Sequence, residues 1–217
     1  MWIGSWEEGL FRVKADGTIE NFKYNAKDPH SLSSNFVRAC CEDNLGNIWI
    51  GTFNGLNRYN KITGLFQNHT ANDTQADGLT HSSIWCIVKD NQGTLWLGTY
   101  FGSVNYFNPE YEIYTRYSYS SNEKKGLSNP VVGRTIEDKD GNLWIGTEGG
   151  GLNYYNRRTR EFKWYRPQEG RNSISHNNVK ALYYDADKEI IWIGTHLGGL
   201  NKLDIRSGHF THYRMEE

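Results

Sequence analysis

The sequence predicts an all-β fold, a β-propeller of four-stranded antiparallel blades. Three observations predict it. A Trp-led motif returns at a nearly constant step: Trp2-Ile3-Gly4-Ser5, Trp49-Ile50-Gly51-Thr52, Trp96-Leu97-Gly98-Thr99, Trp144-Ile145-Gly146-Thr147 and Trp192-Ile193-Gly194-Thr195, with Trp spacings of 47, 47, 48 and 48 residues. The composition favours strands and turns: 14% aromatic, with 23 Gly, 22 Asn and only 4 Pro in 217 residues. No long stretch has the 3.6-residue apolar period of a helical solenoid, whereas short strands at a step near 40–50 residues are the signature of propeller blades.

Each unit reads as strands a to d. In the second unit, strand a is expected at 36–42, b at 47–52, c at 56–60 and d at 65–69. The runs are Val, Ile, Trp, Tyr and Phe, bounded by Gly, Asn and Asp. The a–b turn is Asp43-Asn44-Leu45-Gly46-Asn47, then Asp90-Asn91-Gln92-Gly93-Thr94 and Asp138-Lys139-Asp140-Gly141-Asn142. Asp there bonds its own downstream backbone, and Gly accepts positive φ. The fifth copy, Asp185-Ala186-Asp187-Lys188-Glu189, is one residue longer and lacks Gly. After each Trp motif comes strand c: residues 9–12, 55–59, 103–107, 151–155 and 199–203. Asn60-Lys61-Ile62-Thr63-Gly64 makes the c–d turn by the same chemistry.

The register gives four complete blades and three strands of a fifth. Residues 1–217 form one propeller segment, with blades near 1–25 (partial), 34–70, 82–117, 130–166 and 177–214. The absent strand is a of the first blade, and an uncovered strand edge is a liability. The expectation is a segment of a longer protein, in preference to an open arc or a five-bladed ring with one defective blade.

Several function classes are disfavoured. Lys+Arg 24 against Asp+Glu 25 gives a net charge of −1, unlike a dedicated nucleic-acid binder. No apolar run reaches the ~18–20 residues of a membrane helix, and the first residues do not read as a secretory signal. Cys40, Cys41 and Cys86 have neither disulfide-framework nor zinc spacing. The acidic turns lack the twelve-residue calcium loop. No cofactor or metal is expected.

The pattern Asp-x-x-Gly-Asn-Ile/Leu-Trp-Ile-Gly-Thr, followed by Gly-Leu-Asn-x-Tyr and Phe, resembles the two-component regulator propeller repeat. It is fullest at 43–66 and 138–162. The runs Asp28-Pro29-His30-Ser31-Leu32-Ser33-Ser34-Asn35-Phe36-Val37 and Asn172-Ser173-Ile174-Ser175-His176-Asn177-Asn178-Val179 look like that family's connector between blades. The resemblance covers essentially the whole chain. It implies a periplasmic sensor region of a hybrid two-component histidine kinase of Bacteroidetes, which senses glycan fragments. It also implies partners in the remaining blades and domains of a longer, membrane-anchored chain. No kinase His box, nucleotide motif or receiver Asp stands in this sequence. Similar repeats occur in a propeller lyase of streptogramins, which keeps an enzyme reading open.

The b–c and d–a loops emerge on one face of a blade, and these are the variable ones, so a ligand site is expected there. The d–a loops at 70–83 and 118–130 are long and polar. The residue after each Thr or Ser runs Trp6, Phe53, Tyr100, Glu148, His196. Aromatic faces suit the C–H face of a pyranose, and carboxylate and imidazole groups bond its hydroxyls. On strand a, Arg38, Trp85, Arg134 and Lys180 could line a channel and attract an acidic sugar. The competing reading is that the aromatics cap the core between blades and the cations are solvated or ion-paired. Trp2, Trp49, Trp96, Trp144 and Trp192 are read as packing residues, and the repeated Thr as a structural hydrogen bonder. Catalysis is not expected: the loop acids Glu7 and Glu8 stand on one blade and Glu148 on another, and His81 and His176 are connector residues. The expected function is a ligand-sensing module, with a protein–protein scaffold, including a homodimer, as the alternative and a lyase behind it.

Overall fold

The computed structural model describes residues 1–71, 78–102, 104–109 and 113–214. Ser103 of the expected third strand c, residues 72–77 of the expected loop at 70–83 and residues 110–112 of the third blade lie outside these. The chain divides into two compact units, Met1–Arg116 and Tyr117–Glu217.

The first unit opens with a three-stranded sheet, β1 (Trp2–Gly4), β2 (Leu10–Val13) and β3 (Ile19–Phe22), in the order β1-β2-β3. A four-stranded sheet follows: β4 (Val37–Glu42), β5 (Ile48–Thr52), β6 (Gly55–Tyr59) and β7 (Phe66–His69). The next contains β8 (Ile84–Lys89), β9 (Leu95–Thr99), β10 (Val104–Asn108) and β11 (Ile113–Tyr117), whose last residue begins the second unit. The second unit holds a short 3-10 turn at Glu123–Lys125 and two four-stranded sheets. One is β12 (Val132–Glu137), β13 (Leu143–Thr147), β14 (Gly151–Asn156) and β15 (Glu161–Tyr165). The other is β16 (Val179–Asp185), β17 (Ile190–Thr195), β18 (Gly199–Asp204) and β19 (Phe210–Tyr213). Within each sheet, strands adjacent in sequence are adjacent in space. The fold is all-β and propeller-like, with four complete blades and one of three strands.

The repeated residues each have a structural task. Asp43 Oδ1 accepts from the backbone N–H groups of Leu45 and Asn47, which closes the a–b turn, while Gly46 supplies φ +83°. Asp90 and Asp138 do the same for Gln92 and Thr94, and for Asp140 and Asn142. The Trp side chains Trp49, Trp96 and Trp144 are buried at 0–1% exposure. Trp192 is only half-buried. Its turn is the longer one, and Asp185 there holds Lys188.

The Gly of the Trp motif is set by the next blade. A Cβ on Gly51 would lie 2.7 Å from Ile84 Cγ2, and one on Gly4 would lie 2.6 Å from Val37 Cγ1. Gly146 faces Val179 in the same way. The strand a of one blade thus seats a β-branched side chain on the preceding blade's glycine, at a separation no other residue permits. Cores form along these seams. Leu10, Leu32, Val37, Ile48, Ile50, Tyr59 and Phe66 pack between the first and second blades. Trp49, Leu56, Ile84, Leu95, Leu97 and Phe107 pack between the second and third. Trp144, Leu152, Val179, Ile191, Ile193 and Leu203 do so in the second unit.

The repeated Thr and Asn form a polar brace under the b–c loop. Asn57 Oδ1 accepts from Ser33 N at 2.8 Å, its Nδ2 donates to Ser33 Oγ at 2.9 Å, and Thr52 Oγ1 donates to Gly55 O at 3.0 Å. Asn105, Asn153 and Asn201 accept from Thr80, Ser128 and Ser175 at 3.0, 2.8 and 2.8 Å. All four Asn are fully buried. The brace pins each connector to its own blade and so fixes where strand a begins.

Candidate ligand site

Strand a starts with a β-bulge in each complete blade. Pairing shifts between Val37 and Ala39, Ile84 and Cys86, Val132 and Arg134, and Val179 and Ala181. The extra residues are therefore Arg38, Trp85, Gly133 and Lys180. A bulge leaves its residue out of the ladder and re-aims its side chain. Arg134 sits one residue further along than its expected counterparts, because Gly133 occupies the bulge. It is exposed, and its guanidinium donates to Gly133 O at 3.3 Å.

A backbone clasp sets the residue that follows each Thr. Phe53 N donates to Phe36 O and Tyr100 N to Ser83 O, both at 3.0 Å. Glu148 N donates to Val131 O and His196 N to Asn178 O, both at 2.9 Å. The clasp brings the end of strand b beside the bulge of strand a in the same blade. A second clasp ties successive blades: Gly55 N donates to Ser82 O and Gly151 N to Asn177 O, each at 2.7 Å.

In the first unit these constraints gather one aromatic cluster around Arg38. Its guanidinium carbon lies 4.0 Å from the Trp85 ring centroid, 5.1 Å from that of Phe53 and 5.3 Å from that of Trp6. Trp85 stacks on Tyr100 at 5.6 Å with 27° between the planes, and Tyr100 meets Phe101 edge-on at 4.4 Å. Phe36 fills the gap between Trp6 and Phe53, at 5.8 and 6.2 Å. Sequence reasoning missed Phe36 and Phe101. Phe36 belongs to the connector, and Phe101 is one residue beyond the periodic position.

Trp6 is 60% exposed, Phe53 54% and Phe101 60%, so this cluster presents ring faces to solvent. Arg38 Nη1 donates to Ser83 Oγ at 3.2 Å. Its Nε and the indole nitrogen of Trp85 are buried with no acceptor among the described residues. Burial lowers the Arg38 pKa below the usual guanidinium value, opposed in part by Tyr100. The arrangement can stack an apolar ring face and donate hydrogen bonds beside a cation.

In the second unit the corresponding groups are polar. Lys180 Nζ pairs with Glu148 Oε1 at 2.5 Å. His196 is exposed and meets His176 edge-on at 6.5 Å. His176 Nδ1 accepts from Asn178 N at 3.1 Å, as His81 Nδ1 does from Ser83 N at 3.0 Å, so both connector imidazoles hold backbone. Glu8 is ion-paired with Lys23. Two of the three loop carboxylates are thereby engaged by lysines. Among the described residues, no group of three or more His, Cys, Asp and Glu could hold a metal ion, and no helix is long and apolar enough to cross a membrane.

A sequence profile of the two component regulator propeller matches residues 31–54, 78–101, 126–149 and 173–196. Each match runs from a connector, through strands a and b, to the residues following the Thr. No curated protein matches the chain in sequence. Among solved structures, the chain is similar to the extracellular domain assigned to the hybrid two component system BT3049 from B. thetaiotaomicron. Identity is 22% and the TM-score 0.52, with 94% of this chain and 32% of that one covered. A streptogramin B lyase matches at 15% identity and TM-score 0.69, covering 100% of this chain and 65% of that one. A catalytically inactive virginiamycin B lyase from Staphylococcus aureus with Quinupristin matches at 13% identity and TM-score 0.67, covering 96% and 63%. These likenesses show the fold. The chain spans about a third of the length of the two-component extracellular domain.

Proposed function

Since four stretches of the chain match the two-component regulator propeller repeat, we propose that it is a ligand-sensing module of an extracytoplasmic sensor that recognises glycan fragments on its b–c loop face. In this reading it lies in the periplasm as part of a membrane-anchored chain, and it transmits occupancy without transforming the ligand. The observation that carries the reading is the aromatic cluster around Arg38, with Trp6 and Phe53 more than half exposed. Solvent-facing rings beside unmatched donors suit a pyranose, which offers one apolar face and a rim of hydroxyls. Calorimetry with a panel of neutral and acidic oligosaccharides tests it. Binding to at least one glycan, lost on Trp6→Ala and Tyr100→Ala, is expected. Affinity untouched by these changes would remove the site.

A second reading, a protein-docking scaffold, is favoured by the last blade. Leu200 is 40% exposed, whereas its counterparts Leu56 and Leu152 are fully buried beneath the following blade, and Tyr213, which pairs with Leu200, is 48% exposed. Sedimentation across a concentration series separates the two. Self-association without glycan affinity would favour the scaffold. Turnover of a streptogramin or a glycan would instead restore the enzyme reading.

A further inference from the structure

We propose that the Arg38 cluster is a carboxylate site, and that it selects acidic oligosaccharides carrying a uronate residue. The proposal rests on the glycan-sensing reading and narrows it to one substrate class.

The first argument is charge. Arg38 is half-buried and has no ion-pair partner among the described residues. A cation withdrawn from water without a counter-ion is unfavourable. The faces of Trp85, Phe53 and Trp6 offset part of that cost. Rings, however, give the N–H groups no oxygen to bond.

The second argument is donor accounting. Among the described residues, Nη1 bonds Ser83, Nε is buried without an acceptor, and Nη2 is neither bonded nor buried, so Nη2 is the free donor that faces a ligand. Trp85 Nε1 beside it is a further buried donor with no acceptor among the described residues. The site is rich in donors and short of acceptors. A sugar hydroxyl can accept a hydrogen bond but leaves the charge in place. A carboxylate does both, and its two oxygens suit a guanidinium.

The third argument is a comparison within the chain. Lys180 occupies the same bulge in the last blade, and the residue after Thr in the preceding blade, Glu148, neutralises it at 2.5 Å. For Arg38 the residue in that place is Trp6, whose ring the guanidinium overlies at 5.3 Å. One bulge cation thus has a built-in acid. The other has an exposed aromatic ring where the acid would stand, so the ligand supplies the carboxylate and stacks its sugar on the ring.

The test is calorimetry with uronate-containing oligosaccharides of the pectin, alginate and chondroitin types, each paired with its carboxyl-reduced neutral form. At least one acid form should bind ten-fold or more tightly than its reduced partner, with affinity that weakens as salt rises. That preference should vanish in Arg38→Gln and survive in Lys180→Gln. Trp6→Glu provides the second variant: it installs the missing acid and should likewise abolish the preference, with the melting temperature reporting that the fold is kept. Equal binding of acid and reduced forms, or a preference that survives both Arg38→Gln and Trp6→Glu, overturns the carboxylate site and leaves glycan sensing intact. Failure of every acid and neutral form to bind overturns the glycan reading itself.

Discussion

The indole N–H of Trp49 donates to Oδ2 of Asp43 at 2.7 Å across the a–b turn. Trp96 makes the same bond to Asp90 at 2.7 Å, and Trp144 to Asp138 at 3.1 Å. One carboxylate oxygen closes the turn and the other satisfies a buried indole. The two most regular residues of the repeat are thus a single device. Asp43→Ala would strand Trp49 Nε1 in a buried setting and free two backbone N–H groups of the part-buried turn. Its expected cost is about 2–3 kcal/mol, read from the urea midpoint, because hydrogen bonds to a buried charge lie in that range. Asp185→Ala should shift the midpoint far less, since that carboxylate holds only the exposed Lys188.

The glycine of the Trp motif is a seam residue, so adding a methyl group should act between blades. Gly51→Ala would press on Ile84, and overpacking of this kind costs about 1–3 kcal/mol. Ile84→Ala in the same chain should recover part of the loss, and a double-mutant cycle measures the coupling. Gly194→Ala is the control. Its nearest neighbour is Ala181 Cβ of its own blade at 3.2 Å, and its effect should be smaller. Equal effects at Gly51 and Gly194 would mean that the seam contact does not set the identity of this residue.

Much of this architecture was legible because a repeat exposes its own invariants. Trp at a step of 47 or 48 residues, Asp six residues before it and Gly two residues after it identify strands, turns and seam together. The candidate site was legible only in part. Trp6, Phe53 and Tyr100 follow from their place after Ser or Thr. That they gather on Arg38 does not, because the bulge arises from a pairing shift between strands a and b that composition cannot register. The same shift puts Gly133, and not Arg134, in line with Arg38 and Lys180. The Lys180–Glu148 pair joins residues 32 positions apart in different blades, so its members could be named but not matched. Trp192 carries the full motif yet is only half-buried, unlike Trp49, Trp96 and Trp144.

The Asn of strand c should prove a stability residue with a local signature. Asn57→Ala removes the acceptor of Ser33 N and the donor to Ser33 Oγ in a fully buried place. A loss of about 2–3 kcal/mol is expected, since an unsatisfied buried group adds to the lost bonds. Hydrogen exchange should show the Ser33 amide losing protection before the amides of strand b. If both lose protection together, the brace serves the whole blade and not the connector.

The last prediction concerns thiol chemistry on strand a. Cys40 has its thiol pKa pushed up to about 11, first by burial of the sulfur and then by the neighbouring Cys41. Burial also raises the Cys41 thiol, opposed by Lys89. The nucleophile is the thiolate, so a raised pKa means a small reactive fraction at neutral pH. Although Cys40 counts as an exposed residue, its alkylation by iodoacetamide at pH 8 should be slow. The rate should climb about tenfold per pH unit until the pH approaches the thiol pKa. Peptide mapping by mass after timed alkylation of the unaltered chain isolates the site while keeping Cys41, one cause of the shift. A half-maximal rate near pH 8.5, the ordinary thiol value of about 8.5, would show that the sulfur is solvated and that the strand is less closely covered there than the structure has it.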